Sequence, residues 1–328
     1  MTQQAYQLDE LNFETTIGGL GAEAELSAIP LIDLSDFPLR RTEIAEQLWQ
    51  AATEVGFFQL INHGIALSEI EQAFTLSEQF FALPVEQKQR FPLKAGLNAG
   101  WEFRQQVRPS TGLADQKESY QITLPHMEAL WPEQELVADF QSHLLSMEYQ
   151  AWQLGMKILS CFADKLGFER DFFTRAHQRD SEHYLSTLRM LHYLPMSDIP
   201  VIGDYWRAGA HTDFDCLTMV FQQENQGGLQ VAAGKDAKQN LLWSNVIPQA
   251  GIITCNIGDM LMRWSDDLLK STLHRVRMPT AEENQGSRYS MAFFCQANRD
   301  QIIQGPQQVY PPITAQDYLK MRLNANFA

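Results

Sequence analysis

Apolar positions along this chain follow two different periods, and the change from one to the other divides it. Before residue 184 the helical period dominates, with short strands between. I-P-L-I-D-L (Ile29 to Leu34) predicts a first strand. From Arg40 to Val55 apolar residues recur at helical spacing, and Gly56 supplies the stop. F-F-Q-L-I-N-H-G then reads as a strand closing in a tight turn at Asn62 to Gly64. A second amphipathic helix runs from Leu67 to Phe81 and is ended by Pro84, after which Glu86 to Arg90 predicts a short solvated helix. Leu93 to Thr123 is Gly-rich and aromatic, which predicts strands and a loop. Pro132 to Leu166 carries a long helical stripe through Leu144, Met147, Leu154, Leu159 and Phe162, and Phe168 to His177 continues helically. The methionines along that stripe are expected to fill core, and His177 and His183 to be packing or solvent-facing.

From Tyr184 to Ala297 the pattern changes to short β-rich segments at regular spacing, punctuated by turns expected at Gly227-Gly228 and Gly258-Asp259. Such spacing is what a closed jelly-roll requires. Pro311 to Arg322 predicts a final helix with Thr314 as its N-cap. The expected fold is mixed α/β: a double-stranded β-helix (jelly-roll) core braced by helices, with an N-terminal α/β extension. Four parts of one structural unit follow: a loosely ordered arm over 1–28, a helical and strand region packed on the barrel over 29–183, the jelly-roll core over 184–297, and a C-terminal helix or lid over 298–328.

Composition narrows the partners. Length 328 with 45% hydrophobic and 11% aromatic residues is ample for a buried core. A formal charge of −15 argues against nucleic acid and against anionic membrane surfaces. Cys161, Cys216, Cys255 and Cys295 form no C-x-x-C pair, so they are expected to be free and buried in a reducing compartment. The first thirty residues show no basic and apolar leader pattern, and no run of eighteen apolar residues occurs. The expectation is a soluble, cytoplasmic monomer acting on a small molecule.

The chemistry concentrates in A-H-T-D-F-D-C (Ala210 to Cys216). On a strand, residues two apart share a face, so His211 and Asp213 converge on one point. The bland reading is a loop aspartate bonded to a nearby histidine. His274, in S-T-L-H-R-V-R-M, is the best third ligand, and two imidazoles with one carboxylate form a facial triad that leaves coordination positions open on a divalent metal. R-Y-S-M-A-F-F-C (Arg288 to Cys295) alternates as a half-buried strand. Arg288 and Ser290 would share a face, offering a guanidinium fork and a hydroxyl to a carboxylate, unless Arg288 is simply in a salt bridge at the strand start.

With these motifs the chain resembles the iron and 2-oxoglutarate-dependent dioxygenases, in the branch that looks like isopenicillin N synthase and the plant oxidases. V-G-F-F-Q-L-I-N-H-G-I (Val55 to Ile65), F-F-A-L-P-V-E-Q-K (Phe80 to Lys88), H-T-D, G-D-M-L-M-R-W-S-D (Gly258 to Asp266), L-H-R-V and R-Y-S stand in that family's order. The resemblance implies that His211, Asp213 and His274 hold Fe(II), and that Arg288 and Ser290 hold the distal carboxylate of 2-oxoglutarate. It adds Tyr193, in L-H-Y-L-P, where His192 and Leu194 depart from the branch's N-Y-Y-P. Family analogy places Trp101, Arg104 and Arg108 at the substrate pocket, the bland reading being a surface hairpin. It makes His63 scaffold and Lys117-Glu118 structural.

The implied reaction consumes dioxygen and 2-oxoglutarate, releases succinate and CO2, and hydroxylates or desaturates a small molecule. Because Asp213 is intact, halogenation is not expected. Two alternatives stay open at this point: an oxidase of the same branch that does not use 2-oxoglutarate, and a catalytically silent binding relative.

Overall fold

The computed structural model of the chain describes residues 22–23, 29–94, 96–106, 113–199, 206–232 and 242–327. Apart from Ala22–Glu23, the arm expected over 1–28 lies outside them. In chain order the elements are β1 (Ala22–Glu23), β2 (Leu31–Asp33), α1 (Phe37–Glu54), β3 (Phe57–Ile61), α2 (Leu67–Phe81), α3 (Val85–Lys88), β4 (Gly100–Phe103) and β5 (Lys117–Ile122). They continue with α4 (Phe140–Leu166), α5 (Phe172–Ala176), β6 (Thr187–Tyr193), β7 (Ala208–His211), β8 (Leu217–Gln222), β9 (Leu229–Val231), β10 (Leu242–Asn245) and β11 (Ile253–Ile257). The last are α6 (Asp259–Trp264), β12 (His274–Val276), β13 (Arg288–Cys295), β14 (Ile302–Ile303), β15 (Ile313–Thr314) and α7 (Ala315–Phe327).

Two sheets face one another. The major sheet runs β2-β3-β11-β8-β13-β6-β5-β4 and the minor one β1-β10-β9-β12-β7. Alternation along β13 shows how the sequence builds both faces: Met291, Phe293 and Cys295 join the core under the helices, while Ala292 belongs to a separate apolar cluster with Leu191, Val231 and Val276 between the sheets. Arg288 and Ser290 share the parity of Ala292 and so face inward. The helix-side face is held by α4, 27 residues and therefore about 40 Å long, whose apolar stripe (Leu144, Met147, Leu154, Leu159, Phe162) is entirely buried. Aromatic rings knit α2 and α4 to the sheet, with Phe80 centred 4.6 Å from Tyr120 and 5.4 Å from Phe140.

Several expectations change here. The region 29–183 does more than pack on the barrel: β2, β3, β4 and β5 lengthen the major sheet at both edges. Gly258-Asp259 is not a plain turn but opens α6, with Gly258 as N-cap. A side chain at 258 would collide with the Asp215 carbonyl, so only glycine passes this close behind the H-x-D segment. Nor is the Glu86 to Arg90 segment fully solvated, since Lys88 is buried in an ion pair with Glu118 at 2.8 Å. The four cysteines are free and buried. None of the described helices is long and apolar enough to cross a membrane.

Gly56 does double duty. At φ 79° it ends α1 in the left-handed region, and a Cβ there would strike the Lys270 carbonyl. Lys270 N–H donates to Ala52 O at 3.0 Å and the Thr272 hydroxyl to Val55 O at 2.7 Å. The end of α1 thereby fixes the segment that leads into His274.

Candidate active site

The site lies between the sheets, with its parts divided between them. His211 ends β7 and His274 begins β12, and these two residues are cross-strand partners in the minor sheet. Their rings stand 4.3 Å apart at 52°. Asp213 follows β7, and one donor atom from each of the three residues lies within 4.8 Å of the others. The two segments that carry His211 and His274 thus lie side by side in the minor sheet, whereas Arg288, Ser290 and Tyr193 stand on the major one.

Each of the three converging groups is held from behind. His211 Nδ1 bonds Gly209 O at 2.7 Å and His274 Nδ1 bonds Thr272 O at 3.3 Å. Because both partners are carbonyl oxygens, Nδ1 is the donor in each ring, and the Nε2 edge of each ring is turned towards Asp213. The Asp213 Oδ2 atom accepts from the Thr218 hydroxyl at 2.6 Å and from Asn256 Nδ2 at 2.8 Å. Phe57 packs edge-on to the His274 ring at 5.5 Å. Two imidazoles whose Nε2 atoms stand 3.8 and 3.7 Å from a carboxylate already oriented by two donors fit a divalent transition metal and leave it open positions.

At the other end a row of three residues crosses the major sheet: Lys117 on β5 pairs with Tyr193 on β6, and Tyr193 with Arg288 on β13. The Arg288 guanidinium lies 4.6 Å from the centre of the Tyr193 ring. Arg288 is 2% exposed; its Nε donates to Gln226 O and Gly227 O at 2.9 and 2.8 Å, while Nη1 is buried with no hydrogen-bond partner among the described residues. Ser290 is buried beside the Tyr193 hydroxyl. Burial alone would push the Tyr193 phenol up, but Arg288 and then Lys117 outweigh it and bring it below its ordinary value.

Sequence reasoning missed a second guanidinium here. Arg207 is 4% exposed, donates from Nη2 to Gly286 O at 3.2 Å, and has a buried Nε with no hydrogen-bond partner among the described residues. Burial, with Arg288 opposite, pushes it down to about 10. Both arginines line one cavity with Gln226, Gly227, Gly228 and Ser287. The signal was within reach, because Arg207 stands in the same R-A-G-A-H-T-D run as His211. Buried guanidinium N–H groups without acceptors are costly unless an anion fills the space, and a ligand carboxylate fits.

The substrate residues fare differently. Trp101 pairs with Tyr120 and donates from its indole to Glu118 Oε2 at 2.7 Å, so it packs on the helix-side face and does not line the interior. Family analogy placed it at the pocket, but strand parity turns it away. Arg104, at φ 50°, folds over the Phe103 ring and donates to Asp198 O at 2.8 Å. Arg108 lies outside the described residues. In their place the inward face presents Arg189, held by Ser119 at 2.9 Å and by an ion pair to Glu102. His63 spends both ring nitrogens on backbone, at Gly251 O (3.0 Å) and Ile65 N–H (3.2 Å). Lys117 pairs with Asp115 at 2.7 Å, and Asp115 accepts from Gly209 N–H at 3.1 Å, tethering the strand that leads to His211.

A two-sheet barrel with a histidine and carboxylate cluster facing a buried guanidinium is the architecture of a non-haem oxygenase. Residues 185–297 match the model of the 2OG-Fe(II) oxygenase superfamily, and residues 29–136 match that of the N-terminal region described for the non-haem dioxygenase in morphine synthesis. The chain is 30% identical over 327 residues to the 2-oxoglutarate-Fe(II) type oxidoreductase hxnY of Emericella nidulans, covering 90% of this chain and 89% of that protein. It resembles a full-length Neurospora crassa protein, solved in complex with alpha-KG, with a TM-score of 0.78 at 29% identity, over 93% of this chain and 99% of that one. A putative 2OG-Fe(II) oxygenase family protein from Caulobacter crescentus gives a TM-score of 0.78 at 30% identity, over 91% and 99%. The chain belongs to the 2OG-Fe(II) oxygenase superfamily. It is an oxidoreductase that uses Fe(II), 2-oxoglutarate and dioxygen to oxidise a small molecule.

Proposed function

We propose that His211, Asp213 and His274 hold the Fe(II), that Arg288, Ser290 and Tyr193 receive the distal carboxylate of 2-oxoglutarate, and that Arg207 adds a second cation at that end. The observation that carries the reading is the pairing of three pre-oriented donor groups with two buried, incompletely bonded guanidiniums across one interior. The bound iron supplies dioxygen activation coupled to decarboxylation of the co-substrate. The chain supplies the rest: Thr218 and Asn256 fix the carboxylate, Gly209 and Thr272 fix the imidazole tautomers, and Arg288 sets the co-substrate's direction. The helix-side aromatic core excludes water from the back of the sheet.

The primary substrate in this reading is a compact polar molecule, hydroxylated and released with succinate. Support comes from Arg189, Glu102 and Ser119 on the inward face, and from the structure of the same Neurospora crassa protein in complex with alpha-KG and thymine. A reducing compartment, supported by four free buried cysteines, and a monomeric chain complete the proposal. The test is succinate release by purified, iron-loaded protein, alone and with a panel of small polar heterocycles that includes thymine. We expect slow release alone, acceleration by at least one member, and loss of both in Asp213→Ala. No succinate under any condition would sink the proposal.

A further inference from the structure

We propose that Arg322, on the C-terminal helix, is a positioning residue for the metal ligands: through Thr212 and Asp259 it locks the H-x-D segment from behind, so that docking of α7 and metal affinity are coupled. The inference rests on the ligand assignment above. Asp213 lies beyond the end of β7, where no ladder of strand hydrogen bonds fixes its backbone. What fixes it is Asp259, at the start of α6, whose N–H donates to Asp213 O at 2.8 Å. The Thr212 side chain, between the two ligands in sequence, donates to Asp259 Oδ2 at 3.0 Å. Arg322 closes this ring by pairing with the Asp259 carboxylate and donating from Nη2 to the Thr212 hydroxyl at 3.1 Å, while its guanidinium lies 5.0 Å from the centre of the Phe214 ring.

Arg322 and Asp259 are both 0% exposed and Thr212 is 3% exposed. A charge pair this deep contributes little net stability over apolar packing, yet breaking it strands a buried carboxylate. Here that carboxylate would lie close to Asp213 and Asp215, with Asp215 itself 2% exposed and bonded to the same Thr218 that holds Asp213. The helix delivers Arg322 reproducibly. Thr314 Oγ1 caps it by accepting from Asp317 N–H at 3.1 Å, and Tyr318, one turn before Arg322 on the same face, is 1% exposed in the main core. The end of the chain therefore takes part in a site whose ligands end at His274.

The test is an anaerobic Co(II) titration of the full-length protein, followed by the visible ligand-field bands, with melting of the metal-free protein as control. Arg322→Met is expected to weaken Co(II) binding about 10- to 100-fold, the range found when groups that orient ligands are removed. Arg322→Lys should recover part of it. Thr212→Val should weaken binding and add little when combined with Arg322→Met. A merely structural Arg322 would lower the metal-free melting temperature and leave affinity untouched. Should Arg322→Met fail to fold, Arg322→Met/Asp259→Asn removes both charges together and is read in the same way. Wild-type affinity in the folded variant overturns the latch, provided that His274→Ala loses Co(II). If His274→Ala keeps it, the ligand assignment itself is overturned.

Discussion

The two ends of the interior are built on opposite principles. At the metal end each converging side chain is bonded from behind: Asp213 by Thr218 and Asn256, His211 by Gly209 O, His274 by Thr272 O. At the guanidinium end, Arg288 Nη1 and Arg207 Nε are buried with no hydrogen-bond partner among the described residues. On the proposed assignment the first end is finished before its ion arrives, so binding there costs little reorganisation. The second is finished only by an anion. Pre-organisation governs one end and a charge deficit the other, so variants should separate them.

The largest expected effect is at the metal end. Asp213→Ala or His274→Ala should abolish metal-dependent succinate release, by at least about 10³-fold, because a missing ligand takes the metal's contribution with it. Release within tenfold of wild type would break the comparison at once. Next comes Arg288→Gln, expected to raise the 2-oxoglutarate Kd by about 10²-fold through loss of a buried, charge-assisted contact, with metal affinity unchanged. Arg207→Gln should do the same to a smaller degree, about tenfold. Calorimetry with 2-oxoglutarate and, separately, with metal checks both; equal loosening of the two ligands would show that the ends are not separate. Thr218→Val and Asn256→Ala should weaken metal binding by about 10- to 100-fold and spare 2-oxoglutarate.

A control on stability alone lies outside both ends. His177 is fully buried, with its ring nitrogens against Phe173 O and Cys295 O, and burial pushes it down to about 4. A depressed histidine takes up its proton more readily in the unfolded chain, so stability is present above about pH 6.5 and falls as pH drops towards 4. The loss should reach about 2 kcal/mol by pH 5. His177→Gln should flatten that limb in urea unfolding. An unchanged slope would show that His177 does not set it.

How much of this was legible in the sequence follows from which residues have local signatures. His211 and Asp213 stand out by their close spacing, although Asp213 lies just beyond the end of β7, and Arg288 stands out because it shares a face of β13 with Ser290. The helix Leu67–Phe81 was read to the residue from its apolar spacing, and Thr314 was read as a cap from its place before the last helix. Trp101 was misplaced because family analogy gives a region while parity, which depends on the unseen register with β5, decides the face. Asn256 and Arg322 act only across long sequence separations, whereas Arg207 stands beside the H-x-D run and is tied to Gly286 far along the chain. Nothing near Arg322 in the chain marks it as the partner of Asp259.

The most direct test of the two-ended site is an anaerobic visible titration with Fe(II) followed by 2-oxoglutarate, in wild type, His211→Ala and Arg288→Gln. The account predicts a weak charge-transfer band in wild type, none in His211→Ala at any co-substrate concentration, and one in Arg288→Gln that appears only at about 10²-fold more 2-oxoglutarate. A band of wild-type strength in His211→Ala, or a wild-type midpoint in Arg288→Gln, would contradict it.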